Sequence, residues 1–242
     1  MTASVPTIDG EQRLASHDWT AACAALDAEG WATLRSLLAP QECAALARLY
    51  GEDEGFRSRV VMGRHGFGRG EYRYFAYPLP SLVATLRGAL YARLAPIANR
   101  WHEAMGMPVR FPAEHAAFIE RCHQAGQTRP TPLLLQYGEG DYNCLHQDLY
   151  GDHVFPLQVA ILLSEPGEDF AGGEFVLTEQ RPRMQTRAAV VPLKKGDAVI
   201  FAVNSRPVQG VRGAYRVNLR HGVSRLRAGR RHTVGIIFHD AA

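Results

Sequence analysis

Leu133-Leu134-Leu135-Gln136-Tyr137-Gly138-Glu139-Gly140-Asp141-Tyr142-Asn143-Cys144-Leu145-His146-Gln147-Asp148 is the stretch whose reading decides the fold. An apolar run reads as a strand, a Gly-rich turn ends it, and a His-x-Asp pair follows. Residues two apart on a strand point to the same face, so the His146 imidazole and the Asp148 carboxylate are expected to converge on one ion. Two ligands do not complete a site. The third candidate is His221, in the strand-like run Arg216-Val217-Asn218-Leu219-Arg220-His221-Gly222-Val223-Ser224. About ten residues later comes Gly229-Arg230-Arg231-His232-Thr233-Val234-Gly235-Ile236-Ile237-Phe238, a β-rich run that begins with fixed positive charge.

Two histidines and one carboxylate suit a facial triad, which leaves three positions of the metal open. An arginine on the next strand suits an acidic co-substrate, because its planar fork grips a carboxylate in a bidentate pair. A lone His-x-Asp is weak, since a chain with this many histidines and acids should show about one by chance. The ordered set is much stronger: apolar strand, Tyr137, His-x-Asp, the run Phe170-Ala171-Gly172-Gly173-Glu174-Phe175, the run Lys195-Gly196-Asp197-Ala198-Val199-Ile200-Phe201, the distal His221, then arginine.

On these motifs the chain resembles the Fe(II)/2-oxoglutarate-dependent dioxygenase superfamily, specifically its prolyl-hydroxylase-like branch. The resemblance is close over 131–242 and loose over 30–50. The ending, Gly229-x-Arg231 through Phe238-His239-Asp240-Ala241, is similar to a bacterial oxygenase family described as acting on damaged nucleic acid. The resemblance implies a double-stranded β-helix, a jelly-roll whose mouth holds the metal. It implies Fe(II) on His146, Asp148 and His221, with 2-oxoglutarate and O2 filling the open positions and succinate and CO2 released. Arg231, which follows Gly229-x as the family arginine does, is expected to bind the C5 carboxylate of 2-oxoglutarate. Thr233 shares its strand face and is expected to add a hydrogen bond. Tyr137 matches a family tyrosine that contacts the same carboxylate. Arg230 has the opposite phase and is the alternative to Arg231. Cys144 remains a possible ligand, although the triad is complete without it. His153, His232 and His239 read as packing residues.

In chain order, Trp19 to Leu26 reads as a short amphipathic helix stopped near Gly30, and Trp31 to Leu38 as a strand. Pro40 opens a second helix from its first turn. Leu82, Leu86, Leu90, Leu94, Ile97, Trp101 and Met105 recur at helical spacing, with Pro96 expected to kink or split the helix. The segment Gly63-Arg64-His65-Gly66-Phe67-Gly68-Arg69-Gly70 reads as a hairpin turn between aromatic strands, or as a lip carrying Arg64, His65, Arg69 and Tyr72 over the substrate. From Thr131 onward, short β-rich runs at 133–137, 155–163, 173–177, 198–202, 216–223 and 232–238 suit a sandwich or barrel rather than parallel βαβ units. The expected organisation is mainly β with supporting α. Residues 1–130 form a helical and β support region of the same globule, and residues 131–242 form the catalytic jelly-roll core.

Charge is uneven. From Arg181 to Arg231 the only acidic residue is Asp197, and Lys194 and Lys195 are the chain's only lysines. The bland reading is an arginine-coded solvated surface. The functional reading is a positive rim, with Arg181, Arg183, Arg212 and Arg216 among its members, fit for phosphates. Together with this rim, the family resemblance implies alkylated DNA or RNA as the leading expected substrate, with oxidative demethylation as the reaction. A protein or a small molecule is the alternative. A jelly-roll sensor without turnover, and a different metalloenzyme on the same framework, are further alternatives. No apolar run reaches membrane-spanning length, the segment Met1-Thr2-Ala3-Ser4-Val5-Pro6 has no signal pattern, and the four cysteines are scattered. The expectation is a cytoplasmic protein with no membrane partner and with free thiols.

Overall fold

The computed structural model of the chain describes residues 10–211 and 213–242. The Met1 to Pro6 segment and Arg212 lie outside them. In chain order the elements are α1 (Gly10–Ala15), α2 (Trp19–Glu29), β1 (Trp31–Leu34), α3 (Pro40–Arg48), β2 (Phe56–Val61), β3 (Gly68–Arg69), β4 (Glu71–Phe75), α4 (Ser81–Ala104) and α5 (His115–Gln124). Then follow β5 (Leu133–Tyr137), β6 (Tyr142–His146), β7 (Leu157–Leu162), β8 (Phe170–Gly172), β9 (Phe175–Gln180) and β10 (Arg187–Val191). The chain closes with β11 (Ala198–Ala202), β12 (Ser205–Gly210), β13 (Gly213–Val223), β14 (Leu226–Gly229) and β15 (Arg231–Ile236).

Two antiparallel sheets face each other. The larger has the order β1-β11-β7-β15-β5-β4-β2, and the smaller has β10-β9-β13-β6-β3 with β12 also on β13. This is the jelly-roll. The apolar runs follow from burial on both sides of the large sheet. On β7, Leu157, Val159 and Ile161 join the helix-side core, whereas Ala160 and Leu162 face the other sheet. The alternation on β11 is the same, with Ile200 toward the helices and Phe201 toward the smaller sheet. Helix α4 supplies the cover: Val83, Leu86, Leu90, Leu94, Ile97 and Trp101 are all buried.

Two expectations need correction. Of the kink or split expected at Pro96, the split is absent, since α4 runs unbroken from Ser81 to Ala104. Pro96 and Ala92, whose carbonyl loses its helical donor, are both exposed residues. Strand β1 stops at Leu34 rather than reaching Leu38. There the Asp197 carboxylate draws the chain into a turn, accepting from Arg35 at 2.6 Å and from the Ser36 N–H at 2.8 Å. The hairpin expected over 63–70 is present, with β2 paired to β4 up to Val61 opposite Glu71, and it also carries β3, which pairs with β6 in the other sheet. Residues 63–70 therefore bridge the two sheets at one edge.

The carboxyl end is locked to the helices by a buried ion pair. Arg87 on α4 donates to Asp240 Oδ1 at 2.8 Å and to the carbonyls of Ile237 and His239 at 2.8 and 3.1 Å. Tyr77 and His123 engage the other carboxylate oxygen at 2.9 and 2.8 Å. Burial alone would raise the Asp240 pKa, but Arg87, His123 and Tyr77 hold it below its ordinary value. Removing one partner of such a pair leaves a lone buried charge, at a cost of about 3–5 kcal/mol. Arg87→Met is expected to lose stability of that order in urea unfolding at pH 7. A carboxyl with a depressed folded pKa stabilises above its ordinary range and loses that contribution as pH falls through the folded value. The gap between wild type and Arg87→Met should therefore narrow in acid, and a gap that widens as pH falls would contradict this account.

Candidate active site

The site begins with a cross-strand pair. His221 on β13 lies opposite His146 on β6, which brings two imidazoles to ring centroids 4.2 Å apart. Asp148 completes the set from just beyond the end of β6. His146 Nε2 is 3.4 Å from Asp148 Oδ1, and His221 Nε2 is 3.3 Å from Oδ2. All three ligand atoms lie within 4.8 Å of one another. Ligands about 2.1 Å from an ion and at right angles stand about 3 Å apart. The group therefore has the dimensions and the donor set for Fe(II). The expected strand alternation is not what joins His146 to Asp148, because β6 ends at His146 and the chain turns there.

Asp148 governs protonation at the site: burial alone would lower the His146 pKa, but the Asp148 carboxylate holds it above its ordinary value. The His146 Nδ1–H is placed to donate to the Cys144 carbonyl at 2.8 Å, which turns Nε2 toward the site. Burial alone would push the Asp148 carboxyl up, but His146 and His221 hold it well below the usual carboxylate range. Burial pushes His221 down, keeping it neutral. Tyr150, whose hydroxyl is held protonated by burial and by the Asp148 charge, donates to Asp148 Oδ1 at 2.8 Å.

Arg231 lies at the other end of the same cavity of about 200 Å³. It opposes Tyr137 across β15 and β5. Its Nη1 donates to Thr233 Oγ1 at 2.6 Å, and its guanidinium sits 5.6 Å from the Tyr137 ring centroid. Burial, which disfavours its charge, pushes the Arg231 pKa down to about 10, so it remains cationic near neutrality. Among the described residues no carboxylate forms an ion pair with it. Its Nε and the Tyr137 hydroxyl are buried without a hydrogen bond, although the Asn143 side chain lies beside the hydroxyl. A buried cation and a buried hydroxyl, both unsatisfied in one cavity, fit a bound carboxylate. Gly173 makes room for the arginine: a Cβ there would lie 3.1 Å from Arg231 Cδ and 2.2 Å from Leu226 Cδ1. The alternative, Arg230, is exposed and lines no part of the cavity.

Comparison with known proteins gives the family. Residues 70–241 match the model of a family described as an oxygenase catalysing oxidative methylation of damaged DNA. The chain belongs to this oxygenase family. An uncharacterized protein of Mycobacterium tuberculosis, Rv2227, is 46% identical over 183 residues, covering 74% of this chain and 78% of its own. Among solved structures, a 2OG-Fe(II) oxygenase family oxidoreductase from Burkholderia pseudomallei aligns with a TM-score of 0.55 at 16% identity, covering 94% of each chain. A Pseudomonas putida prolyl-4-hydroxylase aligns with a TM-score of 0.52 at 13% identity, over 93% of this chain and all of that one. These two likenesses establish the fold. The protein is an oxygenase of this family, and its His146, Asp148 and His221 side chains form a donor set that could hold a metal ion.

The oxygenase brings all six sequence-derived site residues, His146, Asp148, His221, Arg231, Tyr137 and Thr233, into one cavity. Cys144 is exposed, and only its carbonyl turns toward the site. His153, His232 and His239 stay outside the cavity lining. Phe67, Asn143, Tyr150, Gln158, Phe175 and Phe201 line the cavity but were not singled out by sequence reasoning. Gln158 had the clearest signal, as a lone amide inside the apolar run of β7. Its Oε1 is buried without a partner. The expected positive rim needs revision. Arg181, Arg187 and Arg206 gather around Glu179, and Arg206 also donates to the Asp27 and Ala28 carbonyls at the end of α2. Arg183 and Arg216 are exposed, and neither lines the cavity.

Replacing the lone buried guanidinium tests this geometry. Without ligands, Arg231→Met should be as stable as wild type or more so, since an unpaired buried charge gives way to an apolar chain of similar length. With Mn(II) and 2-oxoglutarate at about 100 times its Kd, wild type should gain about 2.7 kcal/mol. The variant should gain far less from 2-oxoglutarate while keeping its response to Mn(II). A full 2-oxoglutarate response in the variant would place the carboxylate elsewhere.

Proposed function

We propose that this oxygenase hydroxylates N-methyl groups on damaged nucleic acid and so removes them. Bound Fe(II) supplies dioxygen activation coupled to decarboxylation of 2-oxoglutarate. His146, Asp148 and His221 hold the metal in this reading, while Arg231, Tyr137 and Thr233 hold the far carboxylate of 2-oxoglutarate. Tyr150 orients Asp148, and Phe175 and Phe201 shield His221 from water, with Phe201 at a ring-centroid distance of 4.6 Å.

One observation carries the substrate class. Apart from Arg231, no cationic side chain lines the cavity, whose remaining walls are aromatic and aliphatic with the amides Asn143, Gln147 and Gln158. The part of the substrate that enters is therefore flat or apolar and uncharged rather than a phosphate. A flipped base meets that requirement, stacking on a ring while an amide meets its polar edge. The family description, which concerns damaged DNA, supports the same reading.

The balance is simple. One oxygen atom of O2 enters succinate, and the other converts the N–CH3 carbon to N–CH2OH as a C–H bond breaks. The N–C bond of this hemiaminal then breaks, the hydroxyl proton passes to the nitrogen, and formaldehyde leaves.

Methylated single-stranded DNA or RNA should therefore raise succinate formation and release formaldehyde one for one with the extra succinate. His146→Ala, Asp148→Ala and His221→Ala should each remove metal-dependent turnover by at least about a hundredfold, as chelation of the metal should in wild type. A prolyl peptide that gains oxygen, beside methylated oligonucleotides that yield no formaldehyde, would reverse the substrate assignment and leave the oxygenase chemistry standing.

A further inference from the structure

Beside the cavity the structure gathers three arginines from two segments. Arg69 belongs to β3, and Arg225 and Arg227 lie on the run from the end of β13 into β14. With Glu139, Gly140 and Leu226 they line an open groove. Its floor is well-bonded backbone. The Gly140 N–H donates to the Leu226 carbonyl at 2.9 Å, the Leu226 N–H to the Asp141 carbonyl at 2.8 Å, and the Gly173 N–H to the Arg225 carbonyl at 3.2 Å.

Gly140 shows how closely the charges converge. A Cβ on it would lie 3.3 Å from Arg69 Nη1 and 3.7 Å from Arg225 Nη2, and its φ of +84° suits glycine. The Arg69 and Arg225 guanidinium tips thus flank the same glycine, where like charges repel. Nearby carboxylates do little to relieve this. Arg69 meets Asp141 at 3.2 Å and Arg227 meets Glu174 at 3.5 Å, both through largely exposed arginines. Glu139 lines the groove without closing an ion pair, and among the described residues nothing pairs with the Arg225 side chain.

Two exposed aromatic rings neighbour Arg69 in the fold. Tyr142, the cross-strand neighbour of Arg69, is 40% exposed. Phe67, two residues before Arg69, is 48% exposed, stacks on His65 at 5.3 Å and also lines the cavity. Guanidiniums for a phosphodiester backbone, with exposed rings for bases, are the two elements that single strands require.

We propose that Arg69, Arg225 and Arg227 form a phosphate clamp for a single-stranded nucleic acid. The clamp holds the backbone outside the cavity, while Phe67 and Tyr142 stack bases next to the one that enters. This rests on the nucleic-acid reading above and adds where the strand runs. Of the arginines from Arg181 to Arg227 that the sequence favours, Arg225 and Arg227 belong to it and those of 181–216 do not.

The test is fluorescence anisotropy with a methylated single-stranded oligonucleotide and Mn(II)-loaded full-length protein across 50–300 mM salt. R69Q/R225Q/R227Q should bind at least about tenfold more weakly at the lowest salt, and its log–log salt slope should fall by about 2, at roughly 0.7 per phosphate contact. R69K/R225K/R227K should keep most of the slope. R93Q/R110Q/R121Q, which removes equal charge from α4, α5 and the segment between them, should keep the wild-type slope. If wild type binds and the clamp variant keeps its slope, the clamp is wrong and the substrate class stands. If wild type binds no oligonucleotide at 50 mM salt, both ideas fall. Competition by polyglutamate as effective as that of an oligonucleotide of equal charge would make the groove a general anion surface and overturn the proposal.

Discussion

Two buried charges of opposite sign share one cavity in this protein and do not meet. Asp148 is ionised at one end, and the Arg231 guanidinium is cationic at the other. Each gave up hydration when the chain folded, and neither is neutralised by the other. Flexible side chains would collapse into an ion pair. Here both are pinned, Asp148 by Tyr150 and two imidazoles, Arg231 by Thr233 and by the close fit over Gly173. The unsatisfied pair defines its own ligand. A divalent cation belongs beside the carboxylate, a carboxylate belongs beside the guanidinium, and 2-oxoglutarate bound to Fe(II) supplies both in one assembly.

The rest of the fold keeps those charges apart. Arg231 and Tyr137 oppose each other on the large sheet, whereas His146 and His221 oppose each other on the small one. The spacing between the two ends therefore follows from how the sheets pack, with Asp148 held just past the end of β6. Helix α4 fixes the outer face of the large sheet, and its Arg87 ties down the residues that follow β15. An ion pair far from the chemistry thus bears on it through the strand that carries Arg231. This is why a buried pair of little net worth to stability can still matter to geometry.

Much of this was legible in the sequence, for identifiable reasons. The strands β5 and β11 were read with their observed limits because both are covered on two sides, which forces continuous apolar runs. The Gly229-x position of the family arginine, together with strand phase, separated Arg231 from Arg230, one buried and the other exposed. What escaped lacked a hydrophobic signature. β6 is largely exposed and reads as polar, and β12 carries Pro207, which an edge strand tolerates. Tyr150 and Phe67 act from irregular segments, where no periodicity marks a residue as facing a cavity.

The arginine count misled for a different reason. Sequence shows how many charges there are but not which carboxylates consume them. One buried residue, Glu179, engages Arg181, Arg187 and Arg206 together, and so takes these three members of the basic run away from phosphate binding. The cations that remain available near the cavity come from β3 and from the run after β13, two segments that the chain order separates and the sheet rejoins through β6. On the proposed reading, substrate-facing groups would sit beside the edge of the smaller sheet, while the buried charges that would hold metal and co-substrate sit between the sheets. Edge residues can change without disturbing the buried pair, so one jelly-roll can keep its oxidative chemistry across very different substrates.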